Sequence, residues 1–273
     1  MSPMNFVCPM CKLPLEAAGR SVLCTNGHSF DIAREGYVNL IPSKAPRNLQ
    51  GDSAEMVRAR QAFLARGLYQ PLAAAICDVV AANTPQVVAD IGCGEGYYLR
   101  QLALAPGMDR ARLYGTDISK AAVAAAAKRD DRSAYAVADT NQFIPLGSTS
   151  VDVAMCVFAP RNPVEFARII RSGGQLIVAI PATNHLESVR ERFSLIGIES
   201  DKTLKITEQL RDFELSKTRT IATELTLDQV TLRELLEMTP NARHLDDATR
   251  DRVHGTTAMV TQAIFEVLTF IRN

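Results

Sequence analysis

No charge of either sign dominates this chain: 30 Lys and Arg stand against 30 Asp and Glu in 273 residues. The total therefore gives no push toward a polyanionic partner, although local distribution matters more than the sum. No apolar run approaches the ~20 residues needed to span a bilayer, and the amino terminus carries neither a signal-peptide core nor a transit-peptide composition. A disulfide framework is missing as well. Cys8, Cys11 and Cys24 cluster at the start, while Cys77, Cys93 and Cys156 are scattered through segments that read as core helix, ligand loop and core strand. These absences point to a cytoplasmic protein without a membrane partner. The hydrophobic share of 47% suits a globular chain with a real core, and the length fits one large domain with a small satellite.

A nicotinamide fingerprint is also lacking. The apolar run Val87-Val88-Ala89-Asp90-Ile91 reads as a buried parallel strand. It leads into Gly92, Gly94 and Gly96 at alternate positions, but Tyr97 stands where the third glycine of G-x-G-x-x-G would be. The glycines give a tight turn and let a ligand approach bare backbone. Asp-x-Gly-x-Gly after a strand resembles motif I of the class I S-adenosylmethionine (AdoMet)-dependent methyltransferases.

From that strand onward the pattern alternates. Strands are expected at 87–91, 112–116, 134–138, 151–157 and 175–180, with helices at 97–105, 120–129 and 163–170. The alternation predicts a doubly wound α/β sheet, whose ligands sit beyond the carboxyl ends of the strands. Asp117 ends the second strand, where a carboxylate can accept both ribose hydroxyls, and Ser119 is placed to cap the next helix. Asp139 ends the third and resembles the acid that meets the adenine amino group; Asp90 is expected near the cofactor's ammonium, through water. Strand four runs into Phe158-Ala159-Pro160-Arg161-Asn162, where class I enzymes present the acceptor atom. Many amino-group methyltransferases carry an Asn-Pro-Pro-Tyr-like motif there. Phe-Ala-Pro instead offers an aromatic that stacks on a flat ring, or one that simply belongs to the core. His185, just past Pro181-Ala182-Thr183, has three readings: it meets the AdoMet carboxylate, acts as a base, or is an exposed loop histidine.

Upstream, Asp52 to Tyr69 reads as a helix capped by Asp52 or Ser53 and ended by Gly67, and Tyr69-Gln70-Pro71-Leu72 opens a second, to about Ala82. Tyr69 covers the methionine end of AdoMet or is a packing tyrosine. In the tail, 216–226 and 259–272 are expected to pair as an antiparallel hairpin, with a helix at 227–238 between them.

The amino-terminal segment has different chemistry. Cys8-Pro9-Met10-Cys11 and Cys24-Thr25-Asn26-Gly27-His28 give C-x2-C-x12-C-x3-H. Two knuckles across a short hairpin complete a tetrahedral Cys3His zinc site from Cys8, Cys11, Cys24 and His28. Four protein ligands leave no open position, so the metal is structural and supplies folding energy that so small a core cannot. The third ligand is Cys, unlike the DNA-reading C2H2 finger. Lys12, Arg20, Arg34, Lys44 and Arg47 outnumber Glu16, Asp31 and Glu35 here, which fits either an RNA grip or an ordinary solvated surface. The expected division is a zinc-binding RNA-recognition domain at 1–42, a linker at 43–51 and a methyltransferase domain at 52–273.

Cys-Pro-x-Cys, Phe30-Asp31-Ile32-Ala33-Arg34-Glu35-Gly36-Tyr37-Val38-Asn39-Leu40, Gly51-Asp52-Ser53-Ala54-Glu55-Met56, the Tyr69 tetrapeptide, motif I through Tyr98, Phe158-Ala159-Pro160 and Met238-Thr239-Pro240 occur in this order. In that combination the chain resembles the RlmA family, bacterial guanine-N1 methyltransferases of large-subunit ribosomal RNA. The resemblance runs through nearly the whole length and weakens after about Ala182. It implies a class I methyltransferase fold with a zinc module, AdoMet and structural Zn2+ as cofactors, and a guanine in a hairpin loop of 23S rRNA as the methyl acceptor. It further implies cofactor contacts from Tyr69, Asp90, Gly92, Gly94, Glu95, Gly96, Tyr97, Asp117, Ile118, Asp139 and His185, with Phe158 and His185 at the chemistry. A homodimer is among the assemblies it allows. Two rivals share the core: a methyltransferase of small molecules with a structural zinc module, and a non-catalytic AdoMet- or RNA-binding protein, whose mark would be a broken motif I.

Overall fold

The buried run at 87–91 becomes the middle of the sheet because both of its faces must be covered. In the computed structural model, which describes residues 5–42, 51–195, 197–199, 201–239 and 247–273, each residue of this strand is buried. The chain order is β1 (Glu16–Ala18), β2 (Ser21–Leu23), β3 (Ser29–Asp31), β4 (Val38–Asn39), α1 (Ala54–Ala65), α2 (Gln70–Ala81), β5 (Val87–Ile91), α3 (Tyr97–Ala103), β6 (Arg112–Asp117), α4 (Lys120–Ala127) and β7 (Ser133–Val137). It continues with β8 (Val151–Val157), α5 (Pro163–Ile169), β9 (Ile170–Pro181), α6 (Glu187–Phe193), α7 (Lys202–Gln209), β10 (Phe213–Asp228), α8 (Gln229–Glu237), α9 (Asp247–His254) and β11 (Ala258–Arg272).

Eight strands form one sheet in the order β10-β11-β9-β8-β5-β6-β7-β4. All pairs from β9 to β4 are parallel, and β11 enters antiparallel between β9 and β10. The order reverses at β5, so a ligand crevice opens at the carboxyl ends of β5 and its neighbours. Alternation along β9 shows the doubly wound core: Ile177 and Ala179 face one apolar cluster, with Val88, Leu72 and Phe265, while Leu176, Val178 and Ile180 face the other, with Phe166, Ile206 and Phe270. The paired strands expected in the tail are present, longer than their apolar alternation indicates, with Ile221 opposite Phe265.

Helix starts follow local chemistry. The Ser53 hydroxyl accepts from Met56 N–H (3.3 Å) at α1, and Ser119 from Ala122 N–H (3.2 Å) at α4. The amphipathic segments α6, α7 and α9 are additions to the expected elements; all three are only seven or eight residues long, below the length at which periodicity is decisive.

The zinc module is its own three-stranded antiparallel sheet, β1-β2-β3. It does not hang free. Strand β4 follows it and pairs in parallel with β7, Val38 opposite Ala136. Val7 N–H donates to Pro145 O (3.0 Å), and the Phe6 ring meets Tyr114 edge-on at 5.5 Å. The expected linker falls almost wholly on 43–50, outside the described residues, as do Lys44, Arg47 and Pro240.

Candidate functional site

At the switch point lies a cleft of about 820 Å³. Its floor is the glycine turn after β5. Gly92, Gly94 and Gly96 all have left-handed φ, +80°, +54° and +79°, which only glycine adopts without cost. A methyl group on Gly92 would stand 2.3 Å from Ala159 Cβ, so the turn is pressed against the loop after β8. Gly94 N–H donates to Asp117 Oδ2 (2.9 Å) and Ser119 N–H to Asp117 Oδ1 (2.8 Å). Asp117 thereby fixes the spacing between the first two strand ends, and burial raises its pKa above the ordinary carboxylate value.

Asp90 carries the strongest ligand signal. It is 1% exposed, and both carboxylate oxygens are buried without a hydrogen-bond partner. Burial first, and then the Asp117 charge, push its pKa up to about 7. Such a group asks for a cation and donors from a ligand. Beside it the Tyr98 hydroxyl is also buried and unpartnered. A zwitterionic sulfonium compound fits this wall: an ammonium for Asp90, acceptor atoms for Tyr98, and an apolar cover from Tyr69. The Tyr69 ring is buried, edge-on to Phe63 (5.0 Å) and Phe265 (4.8 Å), so it both packs and lines the cleft.

His185 is buried in the same wall, its ring 4.7 Å from that of Phe265. Burial lowers its pKa to about 4, with Arg190 acting in the same direction. His185 Nδ1 lies 3.0 Å from Ile264 O and 3.1 Å from Ile264 N, so the Ile264 backbone engages Nδ1 in either tautomer. His185 is thus a neutral ring in the cleft wall, with little basicity to offer. Of the remaining expected residues, Tyr97, Ile118 and Asp139 line the cleft. Asp139 accepts from Gln142 Nε2 (2.9 Å). Glu95 lines it too, but its carboxylate faces Arg100 (3.1 Å) and Arg129 (3.8 Å), so its charge is already taken.

Phe158 borders the same aromatic wall from the loop after β8. The strand before it is buried, yet its own side chain is 43% exposed, and its φ is +55°. A bulky residue in the left-handed region is strained by about 1–3 kcal/mol. Phe158 N–H donates to Ala179 O (3.1 Å), and the ring sits 5.5 Å from Phe265 and 6.3 Å from Tyr98.

The second centre is the Cys8, Cys11, Cys24 and His28 group, whose ligand atoms all lie within 4.8 Å of one another. Cys11 Sγ to Cys24 Sγ is 3.6 Å, and His28 Nδ1 is 3.5 Å from Cys8 Sγ and 3.3 Å from Cys24 Sγ. Thiolates about 2.3 Å from a tetrahedral zinc stand near this separation. The turn between β2 and β3 supplies Cys24 and His28, which completes the expected hairpin knuckle.

A zinc-ribbon family described as "RlmA, N-terminal" matches residues 6–48, and a "Methyltransferase domain" family matches 89–178. A Streptomyces fradiae protein named 23S rRNA (guanine(748)-N(1))-methyltransferase is 38% identical over 244 residues, covering 88% of this chain and 86% of that protein. This chain belongs to the 23S rRNA (guanine-N1)-methyltransferase family. A Micromonospora griseorubida protein named as a candidate of the same class is 37% identical over 88% of both chains. For the fold, the crystal structure of a candidate methyltransferase from Bacillus halodurans matches with a TM-score of 0.50 at 16% identity, over 72% of this chain and 97% of that one.

In this RlmA-type methyltransferase AdoMet is the methyl donor and zinc the structural metal, and the cleft and the Cys3His group are where they fit. Several cleft residues carry no signal in the sequence that points to a ligand. Arg60 of α1 donates to Met238 O (2.8 Å) and pairs with Asp52, and Leu235, Leu236 and Met238 around the end of α8 form the wall beneath it. Amphipathicity marks their helices, and it says that a face is buried but not against what. Tyr98 lies within motif I, where its position reads only as the first turn of a helix. Dialysis against a strong chelator should release about one zinc per chain, with loss of near-ultraviolet dichroism from the module; a chain that contains no zinc when purified from metal-replete medium would refute the metal centre.

Proposed function

We propose that this chain transfers a methyl group from AdoMet to N1 of a guanine in a hairpin loop of 23S rRNA, in the cytoplasm, with the zinc module gripping the RNA. The observation that carries the reading is the strained, half-exposed Phe158 at the mouth of a cleft whose buried end fits AdoMet. A loop guanine splayed from its stack enters there and stacks on Phe158. AdoMet supplies an electrophilic methyl on a sulfonium. The S–CH3 bond breaks as the N1–CH3 bond forms, and the N1 proton leaves to water at the open mouth. The protein's task is alignment: in-line approach within about 3–3.5 Å provides much of the acceleration.

Within this reading His185 takes the tautomer with its proton on Nε2 and donates a hydrogen bond to the AdoMet carboxylate, and no side chain of the cleft serves as a strong base. Asp117 meets the ribose, Asp139 the adenine edge, and Tyr69 and Tyr98 close the methionine end. Methyl transfer from labelled AdoMet to unmodified 23S rRNA, followed by nucleoside analysis, should yield 1-methylguanosine within one hairpin. Label in no RNA, with AdoMet still bound, would end this reading. Phe158→Ala should lower kcat/KM on RNA on the order of 10- to 100-fold, the worth of one base stack, with AdoMet affinity little changed; full activity would remove the stacking role.

A further inference from the structure

The charges that line the cleft divide along the chain. Its acids, Asp52, Asp90, Glu95, Asp117 and Asp139, all precede β8, and the lining cation of that part of the chain, Arg60, is bound to Asp52. The cations after β8, Arg161, Arg190 and Lys202, line the same cleft, and none of them enters an ion pair among the described residues. Arg190 is committed to two backbone carbonyls, His185 O (2.8 Å) and Thr183 O (2.6 Å). Arg161 is not. Its Nε is buried without a partner, its Nη1 makes a long contact to Ala159 O (3.3 Å), and its guanidinium lies against the Cys156 thiol.

Lys202 opens α7, where Asp201 makes no side-chain cap to the first-turn N–H groups. Burial lowers its pKa, and the Arg161 charge lowers it further, against the pull of Glu199; Glu199 is itself tied to Lys205. Two cations that sense one another in a partly desolvated wall repel, and an orphaned buried N–H adds to the cost. A bound anion offsets both. Of the two anions that reach this cleft, the AdoMet carboxylate already has His185 as its partner in the proposed reading, whereas Arg161 is three residues beyond Phe158, in the loop that presents the ring to the base.

We infer that Arg161 and Lys202 clamp a phosphodiester of the RNA strand next to the methylated guanine. The clamp rests on the proposed function. The fork of Arg161 takes two phosphate oxygens and Lys202 adds a mobile point charge. Their task is positioning: a phosphate fixed one nucleotide away sets how far the guanine swings onto Phe158.

The test uses the full-length zinc-loaded protein and a hairpin RNA carrying a neutral methylphosphonate at single linkages around the target guanine. Wild type should lose about tenfold in RNA affinity at one flanking linkage. Arg161→Gln and Lys202→Gln should each lose a similar factor on unmodified RNA, become insensitive to that linkage, and lower the slope of log Kd against log salt by about 0.7, the counterion release of one single-strand phosphate contact. AdoMet affinity within twofold of wild type shows that each variant folds, and Arg161→Lys should recover part of the loss. RNA affinity and salt slope unchanged in both variants would overturn the inference, as would lost AdoMet affinity with RNA binding intact, which would assign these cations to the carboxylate. Wild type that methylates no RNA would instead defeat the reading on which the clamp rests.

Discussion

Gly92→Ala is expected to destroy AdoMet binding and to lower stability by about 2–5 kcal/mol. Two costs add. At φ +80° an alanine pays about 1–2 kcal/mol for the left-handed conformation. Its Cβ would also stand 2.3 Å from Ala159 Cβ, and relieving such a clash in a packed region costs about 1–3 kcal/mol more. Relief must come from moving either the floor of the cleft or the loop that holds Phe158, so binding and base stacking fail together. Gly36→Ala separates the two costs. Gly36 has φ +94°, and a Cβ added there would meet nothing within 4 Å, so it should show the backbone penalty alone and keep AdoMet affinity. Thermal unfolding with titration calorimetry measures both; Gly92→Ala binding AdoMet like wild type would mean the cleft floor does not depend on this approach.

AdoMet affinity should pass through a maximum between about pH 7 and pH 8. Asp90, held up to about 7 by burial and by the Asp117 charge, must be ionised to attract an ammonium. Below that value affinity should weaken toward tenfold per pH unit, with proton release on binding. Above about pH 8 the α-amino group begins to lose its own proton. The unliganded protein should show the converse. The folded pKa of Asp90 lies above the unfolded carboxylate value near 3.9, so its stabilisation is fully present below that value and is lost as pH rises through about 7. The loss between those two values is on the order of 4 kcal/mol. Asp90→Asn should flatten both profiles, raise unliganded stability at pH 8 and weaken AdoMet binding. A wild-type affinity constant from pH 6 to pH 8 would refute the role given to Asp90.

Motif I, the strand ends at Asp117 and Asp139, and the Cys3His spacing are legible in the sequence because each is local: a strand end, a turn and a knuckle are written within a dozen residues. Arg60, Arg161, Lys202 and the α8 wall are not. Arg60 meets Met238 across 178 residues of sequence, and no periodicity in either helix names the other. His185 shows the same limit in sharper form. Its place beyond β9 is readable, but its burial against Phe265 and its contact with Ile264, 79 residues later, are not, and that burial is what strips a candidate base of its basicity. Phe158 is visible as an aromatic, whereas its left-handed backbone, which separates a presented ring from a core one, is a property of the loop closing on Ala179.

Strand β4 changes what removal of the amino-terminal module would mean. It contributes only Val38 and Asn39, yet those two residues occupy the outer hydrogen-bonding row of β7, and Leu40 N–H adds a bond to Val137 O (2.9 Å) just before Asp139. A chain begun at residue 51 would therefore expose a bare row of donors and acceptors on an otherwise apolar parallel strand, the template on which chains stack edge to edge. Poor solubility of such a truncation would follow from the uncovered strand, with no bearing on how the module meets RNA.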